Sequence, residues 1–355
     1  MKVLGIESSC DETAAAVVEN GDKLLSNVVA SSIDMHKAYG GVVPEIAARS
    51  HIESITPVIR QALAEASCNW QDIDGIAVTY GPGLGGSLLV GVLSARTLAI
   101  LHDKPLYGVN HVKAHVCAAF ITQTSKNLAG KYELSRKKPD FPLLALIVSG
   151  GHTQLVLFKS HSDYEILGRT ADDAVGEAYD KVAKMLGLPY PGGPSVEKLA
   201  VKGDPGRFKF PKARTGNEYG FSYSGLKTAV LRTAQSVIGE DYTFPSHMIS
   251  ERLSEVQKTD IAAGFSRAAL DVLVEKTEKA YKACRPDSVV VAGGVSASPA
   301  LRKMMAERLP IKPYFPDIKL CTDNGAMVAV SGYYQAVAGE KTDPRILDIA
   351  PSLSM

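Results

Sequence analysis

Aromatic residues are scarce in this chain, 7% of the total with a single tryptophan, Trp70. Long apolar runs are missing too: none approaches the ~20 consecutive residues a membrane-spanning helix needs. The opening MKVLGIESSC carries neither the apolar stretch nor the small-residue cleavage site of a secretory signal, so a cytoplasmic location with no membrane partner is expected. Five cysteines stand far apart with no C-x-x-C pair, which fits neither a disulfide scaffold nor a zinc ribbon and suits a reducing compartment. Neither sign of charge is in excess, with 39 Lys and Arg against 38 Asp and Glu. That balance argues against a protein built mainly to bind polyanions and leaves room for a local basic patch. What is plentiful is Gly (31) and Pro (19), which imply many tight turns, and a 45% hydrophobic content that supports a sizeable core. At about 150 residues per domain, 355 residues suggest two.

The chain carries one pattern twice. Residues 2–7 read as an apolar strand, Ser8-Ser9-Cys10-Asp11-Glu12-Thr13 as a small polar turn, and 14–18 as a second strand. Asn20-Gly21 then signals a hairpin into 23–29. Later, 143–148 is again an apolar strand, Ser149-Gly150-Gly151-His152-Thr153 the turn, and 154–158 and 164–167 the returning strands. Helical periodicity covers 44–66, 87–101, 172–186, 259–283 and 325–337, and 288–292 reads as a buried strand. The pattern predicts an α/β protein of two duplicated lobes, with mixed sheets flanked by helices and a ligand cleft between the lobes. Lobe I is expected at 1–125, completed by the C-terminal helix at about 322–355, and lobe II at 140–321. The lysine-rich, aperiodic segment 126–139 is expected to link them.

Gly81-Pro82-Gly83-Leu84-Gly85-Gly86 satisfies G-x-G-x-x-G, but no acid ends a following strand and no Gly-Lys-Ser/Thr follows, so close backbone packing at a helix start is the favoured reading. The turn at Ser149 is more informative. Two glycines between paired strands let backbone N–H groups converge on phosphate or acyl-phosphate oxygens. With its echo at residues 8–13 and a third glycine turn at Gly293-Gly294, it points to a nucleotide-type ligand. His111 and His115 stand at i and i+4 on one helical face, the spacing that lets two imidazoles reach one metal ion. Val112 and Lys113 occupy the place of the H-E-x-x-H glutamate, which argues against a zincin protease. Asp323, ahead of the last helix, is the candidate third ligand, though the same place suits a helix N-cap. Asp173, Glu177 and Asp180 fall on one face of the helix expected at 172–186. Asp173 reads as a solvated charge; Asp180, ahead of the turn at residues 189–194, reads as a cleft wall. Basic residues within 126–138, and Lys209, Lys212 and Arg214, offer phosphate contacts or are solvated loop charges.

Taken in order, these motifs resemble the bacterial branch of the TsaD/Kae1 family, once labelled glycoproteases. The resemblance rests on Gly5-Ile6-Glu7-Ser8-Ser9-Cys10-Asp11-Glu12-Thr13, the Gly40-Gly41 and Gly81-Pro82-Gly83 segments, the histidine pair, Ser149-Gly150-Gly151-His152-Thr153, Gly176-Glu177-Ala178-Tyr179-Asp180-Lys181, Tyr190-Pro191-Gly192-Gly193-Pro194, Phe221-Ser222-Tyr223-Ser224-Gly225 and Cys321-Thr322-Asp323-Asn324. It implies a fold of the actin/Hsp70/sugar-kinase (ASKHA) type. The implied activity is transfer of a threonylcarbamoyl group from threonylcarbamoyl-AMP to N6 of adenosine-37 in tRNAs that read ANN codons, giving N6-threonylcarbamoyladenosine (t6A).

Position by position, the resemblance implies that His111, His115 and Asp323 bind one divalent metal per chain, iron or zinc, which would polarise the donor carbonyl. Ile147, Val148, Ser149, Gly150 and Gly151 would line the adenylate, a site that would also accept ATP, ADP or AMP. Asp180 and Glu197 would stand near the ribose with Gly193 beside it, and Asp11 or Glu12 would act as base. Where the family usually has an asparagine, this chain has Ser298, which puts that contact with the adenylate in question. Implied partners are tRNA, a paralogous TsaB-type subunit, a small TsaE-type ATPase and a threonylcarbamoyl-AMP synthase that supplies the donor. A small-molecule kinase of the same fold would have no use for the two helix histidines, and a non-catalytic paralogue would be expected to lack the His111/His115/Asp323 set.

Overall fold

One strand order is used twice. The computed structural model describes residues 1–213 and 215–355; Arg214, one of the basic residues singled out above, lies outside them. The chain forms two compact units: Met1–Asp140, Ser160–Asp163 and Tyr314–Met355 make the first, Phe141–Lys159 and Tyr164–Pro313 the second. The first runs β1 (Lys2–Glu7), β2 (Glu12–Glu19), β3 (Lys23–Ser31), α1 (Ile33–His36), α2 (Pro44–Glu65), β4 (Gly75–Gly81), α3 (Gly85–Leu101), β5 (Leu106–Asn110), α4 (His111–Cys117) and β6 (Gln123–Thr124). The second holds β7 (Leu143–Val148), β8 (Thr153–Phe158), β9 (Tyr164–Arg169), α5 (Val175–Met185), α6 (Gly192–Ala200), α7 (Ser224–Val237), α8 (Ile249–Arg252), α9 (Glu255–Cys284), β10 (Ser288–Ala292) and α10 (Pro299–Arg308). The chain then returns to the first unit with α11 (Gly325–Val337).

The sheets are ordered β5-β4-β1-β2-β3-β6 and β10-β7-β8-β9. In each, an antiparallel trio has a parallel strand beside its first member, β4 beside β1 and β10 beside β7, and the first sheet adds two more parallel strands, β5 beside β4 and β6 beside β3. The mixed-sheet α/β class expected from the repeated pattern is what the structure has.

In the first unit the period-2 alternation of β1 decides what faces the chemistry. Leu4 and Ile6 turn to one side and join the core made with Ile55, Val58 and Ile59 of α2. Val3, Gly5 and Glu7 turn to the other, toward α11. The helix comes so close that a Cβ on Gly5 would lie 2.2 Å from the Gly325 carbonyl oxygen, and one on Gly325 would lie 2.5 Å from Ala16 N. Glycine at both places is therefore what seats the first turn of α11 on β1 and β2, directly after Asp323. In the second unit β7 and β10 are buried along their whole length, the continuous apolar runs of a parallel pair covered on both faces.

Several sequence expectations shift. The helix expected at 172–186 begins only at Val175, so Asp173 is not on its acidic face. Asp172 instead accepts the Tyr223 and Ser224 backbone N–H groups at 2.8 and 3.3 Å. Asp173 is not a solvated charge: it pairs with Lys181 at 2.7 Å and Lys227 at 2.9 Å. Short acidic side chains that find such partners compete with the helical backbone and delay its start. Segment 126–139, expected as the link between lobes, lies within the first unit. It is pinned there by Glu133 N donating to Asp317, Lys319 Nζ donating to the Lys131 carbonyl, and a Lys138–Asp22 ion pair. Lys212 is occupied by Asp271 and Glu275 rather than left for phosphate.

Candidate functional site

Helix α4 is seven residues long and starts under control of its N-cap: the Asn110 side chain accepts the N–H groups of Val112 and Lys113. That cap orients His111 and His115 inward, where both are buried. Asp323 meets them from the start of α11, its Oδ1 lying 3.5 Å from His111 Nε2 and 3.4 Å from His115 Nε2. The alternative reading of Asp323 as a helix cap is settled by its neighbour: Asn324 caps α11 by accepting the Met327 N–H. One donor atom from each of the three residues lies within 4.8 Å of the others. Two ligands at about 2.0–2.1 Å from a tetrahedral ion stand about 3.3–3.4 Å apart, so the observed separations and the nitrogen and carboxylate donors suit a metal ion.

Behind this cluster stands a residue that sequence reasoning passed over. Glu7 is completely buried, and its carboxylate accepts from Ser9 N at 2.6 Å, Thr79 Oγ1 at 2.6 Å and His111 Nδ1 at 3.2 Å. This carboxylate–imidazole pair leaves His111 Nε2 facing Asp323, the arrangement that fixes a ligating histidine's tautomer and ring plane. Burial opposes the charge on Glu7, but the His111 imidazolium and the hydrogen bonds from His111, Thr79 and Ser9 outweigh it and bring the carboxyl down to about 2. Burial likewise opposes charge on His111, while Asp323 and Glu7 raise it to about 9. The only sequence sign was an acid closing an otherwise apolar strand.

Asp11 and Glu12 sit on the same electrostatic island. Burial, then Asp323 and Asp11, push Glu12 up to about 10, and burial with Glu7 and Asp11 lifts Asp323 to about 6 against the pull of His111. Acids crowded in this way favour a cation among them. The G-x-G-x-x-G motif proves to be the buttress of their turn. Leu84 N donates to the Ser9 carbonyl at 2.8 Å, Ser8 Oγ to the Ser87 carbonyl at 2.9 Å and Ser87 Oγ to the Cys10 carbonyl at 3.3 Å. A Cβ on Gly83, whose φ is +159°, would lie 2.6 Å from Ser9 O, so the close backbone packing read from the sequence is the role it has.

The second unit brings together the other predicted residues. The turn after β7 closes through Ser149 N donating to the His152 carbonyl at 2.8 Å, and Gly150 and Gly151 are exposed with open space where a Cβ would stand. Gly293 packs on the same turn; a Cβ there would lie 2.4 Å from the Val148 carbonyl oxygen. The side chains of Ile147 and Val148 are fully buried, so only their backbone is available to a ligand. Asp180 accepts the Gly192 N–H at 2.7 Å, tying α5 to the first turn of α6, while Gly193 is open. Ser298 donates to Glu197 and accepts from Leu301 N at 3.1 Å as the N-cap of α10. Burial raises Glu197, and the Ser298 hydrogen bond partly offsets the rise. Ser298→Ala is expected to cost about 1 kcal/mol in urea denaturation through the lost cap, and Ser298→Asn, which also caps, to hold stability.

Fold and site together define a two-unit α/β protein with mixed sheets, carrying a His/His/Asp cluster in one unit and open glycine turns in the other. The family model described as TsaD: tRNA N6-adenosine threonylcarbamoyltransferase matches residues 23–330, and the chain belongs to that family. Proteins of that name from Thermomicrobium roseum and Symbiobacterium thermophilum are 49% and 51% identical to it, over 97% and 96% of this chain and 94% and 93% of theirs. Among solved structures, T. kodakarensis HypF superposes with a TM-score of 0.59 at 15% identity, over 95% of this chain and 48% of that one. Component A of the Acidaminococcus fermentans (R)-2-hydroxyglutaryl-CoA dehydratase gives 0.50 at 14% identity, over 95% and 99%. These two show the fold alone.

Proposed function

We propose that this chain transfers the threonylcarbamoyl group from threonylcarbamoyl-AMP to N6 of adenosine-37 in tRNAs that read ANN codons. The observation that carries the reading is the His111–His115–Asp323 cluster, coupled to Asp11 and Glu12, in a member of this transferase family. In the reaction a bond forms between N6 and the carbamoyl carbon, the bond from that carbon to the adenylate oxygen breaks, and AMP leaves with the electron pair. Asp11 or Glu12 is assigned to take the proton shed by N6; Glu12, held up to about 10 by burial and its acidic neighbours, serves as base only when a cation among these acids ionises it. The turn at Ser149, Gly150 and Gly151 is assigned to the adenylate phosphate: Ser149 N closes it onto the His152 carbonyl, and the exposed backbone at Gly150 and Gly151 is left to stabilise the charge that develops on the leaving group. Asp180, Gly193 and Glu197 are assigned to the ribose, with Ser298 holding Glu197. A bound iron or zinc ion would act as Lewis acid on the donor carbonyl.

The reading places the chain in the cytoplasm; among the described residues no helix is long and apolar enough to cross a membrane. Leu89, Leu93, Ile100 and Leu101 leave an apolar stripe of α3 exposed, which supports docking of a paralogous TsaB-type subunit, with a TsaE-type ATPase as further partner. The test combines purified chain, threonylcarbamoyl-AMP and unmodified tRNA, with and without those partners, and reads t6A by mass spectrometry of digested tRNA. Formation of t6A is expected; no product under any combination would refute the transferase reading.

A further inference from the structure

Helix α2 turns its apolar stripe to the core at Ala47, Ile55, Val58, Ile59 and Ala62, and inserts a histidine, His51, into that stripe with no exposure at all. A polar ring at such a place costs free energy unless both its nitrogens are satisfied. They are satisfied by the acid-bearing turn alone. His51 Nε2 lies 3.0 Å from the Cys10 carbonyl oxygen and Nδ1 lies 2.7 Å from Thr13 Oγ1. A carbonyl only accepts, so Nε2 carries the hydrogen and Nδ1 accepts the Thr13 hydroxyl. The ring thus grips the backbone on both sides of Asp11 and Glu12. A second buried histidine acts from α1: Val43 N donates to His36 Nδ1 at 3.2 Å, His36 Nε2 faces Ser32 Oγ at 3.1 Å, and Ser32 Oγ donates to the Asp11 carbonyl at 2.8 Å. Ser32 N reaches the same carbonyl at 3.0 Å.

We infer that His51 is a positioning residue of the transfer reaction, a neutral bracket that fixes the Asp11–Glu12 turn in register, with His36 and Ser32 as its second limb. The inference deepens the transferase reading and rests on the assignment of those two acids to the reaction. Thr13→Val keeps β-branched volume on β2 while removing the hydroxyl that His51 accepts. It is expected to lower kcat about 10-fold, and His51→Ala about 100-fold, the scale of a catalytic group displaced by about 1 Å. KM for donor and for tRNA should stay within about twofold, and metal content unchanged. His51→Gln, which can return a donor to the Cys10 carbonyl, should recover most of the His51→Ala loss.

Wild-type kcat in Thr13→Val would overturn the inference, as would losses in both variants that follow metal content or thermal stability alone. The ring itself gives a readout independent of turnover: 15N NMR of the wild-type imidazole should show the Nε2–H tautomer. An Nδ1–H or doubly protonated His51 at pH 7 would overturn the inference even were no transfer seen. Wild-type rates in both Asp11→Asn and Glu12→Gln would instead sink the reading of the acids on which it rests.

Discussion

His115→Ala is expected to empty the His/His/Asp cluster and to lower kcat/KM for transfer at least about 1,000-fold, about 4 kcal/mol of transition-state stabilisation. Loss on this scale follows from geometry: with one imidazole gone, His111 and Asp323 leave two protein ligands where a catalytic site ordinarily uses three. Metal analysis of the purified variant should fall to background while far-UV circular dichroism stays as in wild type, because His115 sits on a short helix that makes no strand of the sheet. A second measurement reads the same chemistry without turnover. In the metal-free protein His111 is held up to about 9, so near pH 7.5 it is charged, and binding through Nε2 must displace a proton. Titration calorimetry in two buffers of different ionisation enthalpy should therefore show release of about one proton per ion in wild type. Full activity of metal-free His115→Ala, or binding with no proton release, would remove the cluster from the reaction.

Much of this arrangement was legible in the sequence where the signal is local. The strands at 2–7, 143–148 and 288–292 and the helix at 325–337 lie where continuous apolar runs and their bounding turns put them. The i, i+4 spacing of His111 and His115 survives as one face of α4. Local signals also explain some misses. Helix α9 starts at Glu255 rather than 259 because Ser254 and Gln257 form a capping box ahead of the apolar periodicity. The start of α5 is delayed because Asp172 and Asp173 bond elsewhere. What could not be read are the groups whose meaning depends on distant partners. Glu7 meets Thr79 across 72 residues and His111 across 104, and His51 meets Thr13 across 38. In sequence each is a lone polar residue in an apolar pattern. Only the register of β1 and the face of α2 turn them toward the same turn.

Glu7→Gln carries the second large effect, and it acts through a tautomer rather than through lost volume. The carboxylate is an acceptor at both oxygens, taking Ser9 N at one and Thr79 Oγ1 and His111 Nδ1 at the other. An amide of the same shape keeps one acceptor for Ser9 N and presents an NH2 group to the other side. Thr79 can rotate its hydroxyl to accept. His111 Nδ1, which also lies 3.1 Å from Ser9 Oγ, loses its charged acceptor, and in the neutral ring that binds a metal, accepting from the amide would move the hydrogen to Nε2 and remove the lone pair needed there. Metal affinity, measured by competition with a chromogenic chelator, is therefore expected to fall about 10–100-fold, and affinity equal to wild type would show that Glu7 does not set the tautomer.

The pH dependence of metal-free stability gives an independent check. Glu7 has its carboxyl lowered from 4.5 to about 2, so its contribution is complete above about 4.5 and is lost as pH falls toward 2. His111, raised from 6.5 to about 9, contributes fully below 6.5, and that share is lost as pH rises through 9. Wild-type apoprotein should thus be most resistant to urea between about 4.5 and 6.5, as far as this pair decides. In Glu7→Gln the acid-side decline should flatten, since no carboxylate remains to protonate. The alkaline decline should shrink as well, because Glu7 no longer helps to hold the proton on His111.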